Sequence, residues 1–141
     1  MSTSTTARRF FDEVWSRGDF GLVDELFAPD YVGHPSGPEG TVRGPAGVEE
    51  YIRQLRAGVP DLTVTVEDQL AAGDKVATRW TARGTHQGEL MGMAATGQTA
   101  TVTGITIQRF RADGRIVEGW TNWDLLGMLQ QLGVTPQPAA R

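Results

Sequence analysis

The apolar residues of this chain turn from helical to alternating period near residue 62, with a short helical run returning from Leu125, and that change limits the class of fold open to it. Before it they recur at helical spacing: Phe10, Phe11, Val14 and Trp15 predict a helix from about Thr6 to Arg17, stopped by Gly18. Leu22, Val23, Leu26 and Phe27 predict a second, short helix with Asp19 as N-cap and Pro29 at its end. A Gly- and Pro-rich loop is expected from Gly33 to Gly44. A third helix follows from Pro45, with Val48, Tyr51, Ile52 and Leu55 on one side and Gly58 and Pro60 closing it. After residue 62 the pattern alternates: Leu62 to Gln69, Lys75 to Gly84, Thr99 to Arg111 and a run from Arg115 all predict strands. Gly73-Asp74 reads as a turn, and Asp113-Gly114 is a strong hairpin signal that makes its flanking strands antiparallel neighbours. Helices first, a meander of strands next and a short helix last predict an α+β domain, with helices on one face of a curved sheet.

The 141 residues suit one domain spanning 1–141, with loose tails at about 1–5 and 134–141, where Ser/Thr-rich and Pro-rich stretches offer little to pack. The net charge of −4, without a basic run, argues against a nucleic-acid partner. Without cysteine there is no disulfide, thiolate nucleophile or sulfur-rich metal site, and His34 and His86 lack a metalloprotease spacing, so no metal is expected. The start lacks the charged and apolar parts of a signal peptide and no apolar run reaches membrane-spanning length; a cytoplasmic protein without membrane contact is the expectation.

Chemistry is expected on two strands. Read as a strand, Arg115 to Asp124 places Ile116, Glu118, Trp120, Asn122 and Asp124 on one face, half apolar and half polar, which suits a pocket wall better than a core. Glu118 alternatively faces solvent at the sheet edge. Asp124 carries two readings, a proton-handling carboxylate or the N-cap of the helix that begins at Leu125. In the strand from Lys75, the residues Val76, Thr78, Trp80, Ala82 and Gly84 should point inward, which leaves His86 at the strand's mouth as either a proton-transfer group or a polar-loop histidine. His34, after the second helix, has the same two readings. Met91, with Met93, fits a pocket gap-filler, a core residue or an oligomer contact. The glycines from Gly37 to Gly47 follow no strand and Ser36 has no nucleophile-elbow context, so neither a phosphate cradle nor a serine hydrolase is indicated.

Several spacings together carry a resemblance: Asp30-Tyr31-Val32-x-His34, Gly84-Thr85-His86-x-Gly88-Glu89, Gly92-x-x-x-Thr96-Gly97, Arg109-Phe110 with Asp113-Gly114-Arg115-Ile116, and Trp120-x-x-x-Asp124-x-x-Gly127-x-x-x-Gln131-Leu132-Gly133. From about residue 7 to 133 the chain resembles the SnoaL-like polyketide cyclase (ester cyclase) group of the NTF2-like superfamily. The resemblance implies a cone-shaped α+β barrel, a curved antiparallel sheet closed by N-terminal helices around a deep apolar pocket. It also implies a homodimer or higher homo-oligomer and a place in secondary metabolism. Characterised cyclases of the group close the last ring of aromatic polyketides by intramolecular aldol condensation, without cofactor or metal. Aligned on Asp113-Gly114 and Gln131-Leu132-Gly133, their catalytic aspartate falls on Thr121 and its associated histidine on Ile107, while Asp124 and His86 match group-wide positions.

The resulting expectation is a cofactor-independent cyclase acting by acid/base chemistry on a small, carbonyl-rich, apolar substrate. Asp124 and His86 would be its proton-handling pair, assisted by His34. Trp15, Tyr51, Trp80, Met91, Glu118, Trp120 and Asn122 would contact the substrate. The alternatives are a non-catalytic binding protein walled by Trp15, Trp80 and Trp120, or a hydroxylation or epoxide-hydrolysis enzyme on the same fold.

Overall fold

The computed structural model describes residues 2–36 and 40–134. The chain opens with α1 (Thr3–Arg9), which winds on as a π-helical segment from Phe10 to Trp15. The wider π winding, marked by the Ser16 N–H bonding back to the Phe11 carbonyl at 3.2 Å, turns both Phe10 and Phe11 into the core. Ser2 caps α1, its hydroxyl accepting from the Thr5 N–H at 3.1 Å, so the Ser/Thr-rich start is helical from Thr3 and not a loose tail. Met1 and residues 135–141 lie outside the described residues. A short 3₁₀ turn (Phe20–Leu22) leads into α2 (Val23–Leu26); the Asp19 side chain makes no capping bond there, contrary to expectation.

The larger departure follows at once. The loop expected from Gly33 is in part a strand, β1 (Phe27–Pro35), paired with the two-residue β2 (Val42–Arg43). β1 lies parallel to the final strand, and its register shifts between Phe27 and Val32. Pro29 falls within that irregular stretch, where its missing N–H removes no regular ladder bond; a proline that reads as a helix end is in fact accommodated by a strand. Helix α3 (Gly44–Gly58) carries proline in its first turn, as expected, and buries Val48 and Ile52.

Four long strands complete the sheet: β3 (Thr63–Ala72), β4 (Lys75–Thr85), β5 (Thr99–Phe110) and β6 (Ile116–Trp123). The order is β2-β1-β6-β5-β4-β3, antiparallel except for β1 against β6, so the sheet is mixed and not wholly antiparallel. The two turns foreseen at Gly73-Asp74 and Asp113-Gly114 both form, with Gly73 at φ 59° and Gly114 at φ 87°. β4 turns Val76, Thr78, Trp80 and Ala82 inward, the face the alternation assigns.

β6 does not keep its expected phase. Arg109 pairs with Glu118 but Phe110 pairs with Ile116, so Val117 is an extra residue on one strand. A bulge of this kind shifts the side-chain alternation by one and reverses every later position. Ile116 is buried in the core, whereas from Glu118 onward it is Gly119, Thr121 and Trp123 that face inward. A second bulge at Glu67 in β3 adds to the curvature. Helix α4 (Leu125–Leu132) then closes one end of the concave face. Gln131 fixes it there: its amide donates to the Thr101 carbonyl at 2.9 Å and accepts from the Thr101 N–H at 2.8 Å.

Candidate functional site

Between the concave face of the sheet and the π-helical segment, α3 and α4 lies a cavity of about 870 Å³, part of it open to solvent. Its walls are mostly aromatic and aliphatic. Trp15 and Tyr51 meet edge to face at 6.2 Å on the helical side, and Trp80 and Trp123 stand on the sheet. Trp15, Tyr51 and Trp80 therefore all reach the cavity.

One strip of this wall is polar. Trp80 Nε1 donates to Thr106 Oγ1 at 3.0 Å, and Thr106 Oγ1 lies 2.9 Å from Thr121 Oγ1. An indole N–H can only donate, so the Thr106 hydroxyl receives it and remains able to pass a hydrogen bond on to Thr121. Two residues along β5 stands Gln108, 1% exposed, whose Oε1 is buried with no partner among the described residues. Tyr31 completes the strip from β1. Its hydroxyl lies against the backbone where Gly33 pairs with Gly119; a Cβ on either glycine would come within 2.8 or 2.6 Å of it. Burial, reinforced by the charge of Glu118 and by Tyr51, pushes the Tyr31 phenol above its ordinary pKa, so it stays protonated and able to donate. Among the described residues lining the cavity, none is an aspartate, glutamate or histidine.

The expected proton-handling residues are not assembled in this cavity. Asp124 is exposed and caps α4, its Oδ1 accepting from the Gly127 N–H at 2.8 Å; the N-cap reading describes what the structure holds. Asp124→Ala is expected to lower stability by about 1 kcal/mol, the usual worth of an N-cap, measured by urea denaturation. The His34 imidazole engages the outer face of the sheet, with Nε2 2.9 Å from Glu118 Oε2 and the ring stacked on Trp120 at 5.8 Å, while the residue also borders a smaller pocket that shares Tyr31 and Thr121 with the cavity. Glu118, Trp120 and Asn122 share that outer face because of the bulge at Val117, and so do not wall the cavity. Ile107 is also outward and 39% exposed, so of these two positions only Thr121 meets the cavity. Met91 sits at the tip of a tight turn with φ 50°, packed beside the cavity's far end and outside its lining. His86 is 1% exposed and lines a smaller chamber adjoining the cavity, not the cavity itself.

Periodicity does not single out Tyr31, Thr106, Gln108 and Thr121, the polar residues that line the cavity. Thr121 was reached only through the resemblance. The signal available for Thr106 and Gln108 was their shared phase with Gly104 and Phe110 on β5, but the isoleucines of the opposite phase outweigh it in hydrophobicity.

On the outer face, hydrogen bonds from His34 and from Arg109, the latter at 3.0 Å, hold the Glu118 carboxyl below the usual carboxylate range. A lowered folded-state value contributes stability above the unfolded value, about 4.3, and loses it as pH falls through the folded one. Glu118→Gln is thus expected to flatten the acid limb of a plot of Tm against pH below about 4.3.

Residues 5–132 match the model of the SnoaL-like polyketide cyclase family. IdmH from Streptomyces antibioticus, described as a candidate polyketide cyclase, is 42% identical, with TM-score 0.83 and 95% of this chain and 100% of that chain covered. AclR from Streptomyces galilaeus, described as a candidate hydroxylase, is 29% identical, with TM-score 0.78 over 96% of this chain and 100% of that one. A protein from Catenulispora acidiphila with a ketosteroid isomerase-like fold is 19% identical, with TM-score 0.74 over 96% and 94% of the two chains; that likeness is one of fold alone. No curated protein matches the chain.

Proposed function

The chain belongs to the SnoaL-like polyketide cyclase family, with the NTF2-like α+β fold, and on that premise we propose that it closes a ring in an apolar, carbonyl-bearing polyketide held in the cavity. The observation that carries this reading is the polar strip on an otherwise apolar wall. Gln108 Oε1 is an acceptor lacking a hydrogen, and the Trp80–Thr106–Thr121 chain ends in a hydroxyl that can donate. An enol and a carbonyl are the matching pair: the enol O–H satisfies Gln108 once its amide turns the buried oxygen toward the cavity, and the carbonyl oxygen accepts from Thr121.

Ring closure then needs one bond and one proton. The enol carbon attacks the carbonyl carbon, the enol oxygen becomes a ketone, and its proton ends on the new alkoxide, so the product is an isomer of the substrate. Thr121 donates to that oxygen as charge builds, and the tyrosyl O–H of Tyr31 is a further neutral donor in the cavity. A carbon flanked by two carbonyls enolises readily without a strong base, which suits a wall built of neutral groups. Holding both partners in one apolar cavity supplies orientation, the contribution that intramolecular ring closure gains most from. No cofactor or metal enters this scheme. It takes over the cyclase expectation while moving its chemistry from Asp124, His86 and His34 to the β5–β6 wall.

The test is product analysis with a panel of partly cyclised poly-β-ketones. A product of unchanged mass, or one lighter by water after dehydration, supports ring closure. Saturable quenching of tryptophan fluorescence without any product supports the binding-only alternative, and a product heavier by one oxygen supports hydroxylation.

We infer also that a second copy of the chain covers the outer face of the sheet, in the cytoplasm. Ile105 is 50% and Ile107 39% exposed there, beside the half-buried Trp120, and apolar side chains at the centre of a sheet face favour burial. Ile107→Glu is expected to shift the protein from dimer to monomer in analytical ultracentrifugation at micromolar concentration; a monomeric parent protein would overturn the inference. None of the described helices is long and apolar enough to cross a membrane.

A further inference from the structure

Next to the main cavity, under α4, lies a second space of about 330 Å³, much of it open to solvent. Val59, Ala82, Leu90, Val102 and Met128 line both, so the two are neighbours sharing an apolar wall. The second chamber is apolar too, apart from Arg83 at its strand edge and His86. That imidazole is held from three sides. Its backbone bonds to Gln98 and Gly97 at 2.9 Å each, and Nδ1 lies 3.1 Å from Thr96 Oγ1, which also accepts from the Gln98 N–H at 3.3 Å. The other ring nitrogen, Nε2, is buried with no partner among the described residues.

A buried nitrogen without a partner destabilises the fold, and native proteins leave few such groups unless something else completes them. Here the ring is fixed, it is 1% exposed, and it belongs to the lining of a pocket that shares Val59, Leu62, Ala82, Leu90, Val102 and Met128 with the main cavity. We propose that His86 Nε2 anchors a hydroxyl at the far end of an elongated substrate whose apolar middle lies along the side chains common to both spaces and whose reacting end lies against Gln108 and Thr121. A hydroxyl is the fitting group because it both donates and accepts. It completes Nε2 whether the Thr96 hydroxyl donates to Nδ1, leaving the hydrogen on Nε2, or accepts from it. His86 is on this reading a binding and specificity residue and takes no part in bond formation. The proposal rests on the ring-closure reading for the identity of the reacting end, but not for the anchor itself.

Binding alone tests it, in the full chain, with octan-1-ol and nonane as probes of equal heavy-atom count followed by tryptophan fluorescence. The ratio of the two dissociation constants removes whatever a variant does to the apolar wall. His86→Phe is expected to weaken octan-1-ol about tenfold relative to nonane, the effect of one lost hydrogen bond. Ala100→Leu, which narrows the second chamber while leaving the imidazole in place, is expected to give the same relative loss and serves if His86→Phe fails to fold. Gln108→Leu should leave the ratio unchanged. An unchanged ratio in His86→Phe or Ala100→Leu, or a loss confined to Gln108→Leu, would overturn the anchor. Failure of ring closure shows instead as absent product with the ratio still sensitive to His86, so the two failures are distinguishable.

Discussion

Gly104→Ala is expected to destabilise the protein by about 3 kcal/mol, a large loss for the addition of one methyl group to a strand. Gly104 sits directly opposite Trp80 in the β4–β5 pairing, buried beneath the indole whose other side lines the cavity. A Cβ at this position would lie 2.3 Å from Trp80 Cζ2 and 2.7 Å from its Cη2, well inside van der Waals contact. The indole cannot swing aside freely, because its Nε1 is tied to Thr106 at 3.0 Å. Overpacking of this kind costs about 1–3 kcal/mol, and loss of the buried hydrogen bond adds about 1 kcal/mol. Urea denaturation followed by circular dichroism measures the sum. The double variant Gly104→Ala with Trp80→Leu separates the causes: if crowding against the indole is the reason, the second substitution recovers part of the first one's loss, giving a coupling of at least about 1 kcal/mol. Gly104→Ala within 0.5 kcal/mol of the parent would mean that the indole has room the geometry denies it.

That collision also explains what could be read from the sequence and what could not. β4 was legible because its alternation is regular: each inward position, from Val76 to Ala82, is apolar or small, and no bulge interrupts it. The turns at Gly73 and Gly114 were legible because each needs a positive φ that glycine supplies at no steric cost. β6 is illegible for the opposite reason. Its period-two pattern is intact, but the inserted Val117 moves every later residue to the other face, and nothing in a list of side chains marks where the extra residue falls. β1 was lost because Pro29 and Gly33 are strong loop signals. Here Pro29 occupies an irregular stretch of the pairing and Gly33 makes room for the Tyr31 ring.

The site was harder still, because this sheet inverts the usual rule of burial. On β5 the inward phase carries Thr106 and Gln108, whereas the outward phase carries Ile105 and Ile107. Hydrophobicity sorts core from solvent. It fails on a sheet whose inner face carries Thr106 and Gln108 and whose outer face carries Ile105 and Ile107. The resemblance reached the fold and Thr121, because fold-determining residues such as Gly114, Gln131 and Gly133 are legible by spacing. It could not reach the wall chemistry, which depends on strand register.

Gln108→Leu should therefore separate function from stability in opposite directions. The two side chains are close in volume, and the substitution removes an amide oxygen that is buried without a partner. Relieving such a group is expected to raise the unfolding free energy by about 1 kcal/mol, since an unpaired buried acceptor carries its full desolvation cost. Turnover should move the other way. If Gln108 holds the enol hydrogen while the carbonyl rests on Thr121, losing it removes an orienting contact at the reacting end, and kcat/KM should fall about 10²-fold, the scale typical of a single lost active-site hydrogen-bonding group. Thr121→Val, isosteric and leaving Gln108 intact, should reduce kcat to a similar degree while KM changes little, because its donation strengthens only as the alkoxide forms. A variant that is both more stable and about a hundredfold slower identifies a residue retained for the ligand and not for the fold. A Gln108→Leu protein that is destabilised and fully active would instead make the amide a packing group, and the polar strip would lose its role in holding the substrate.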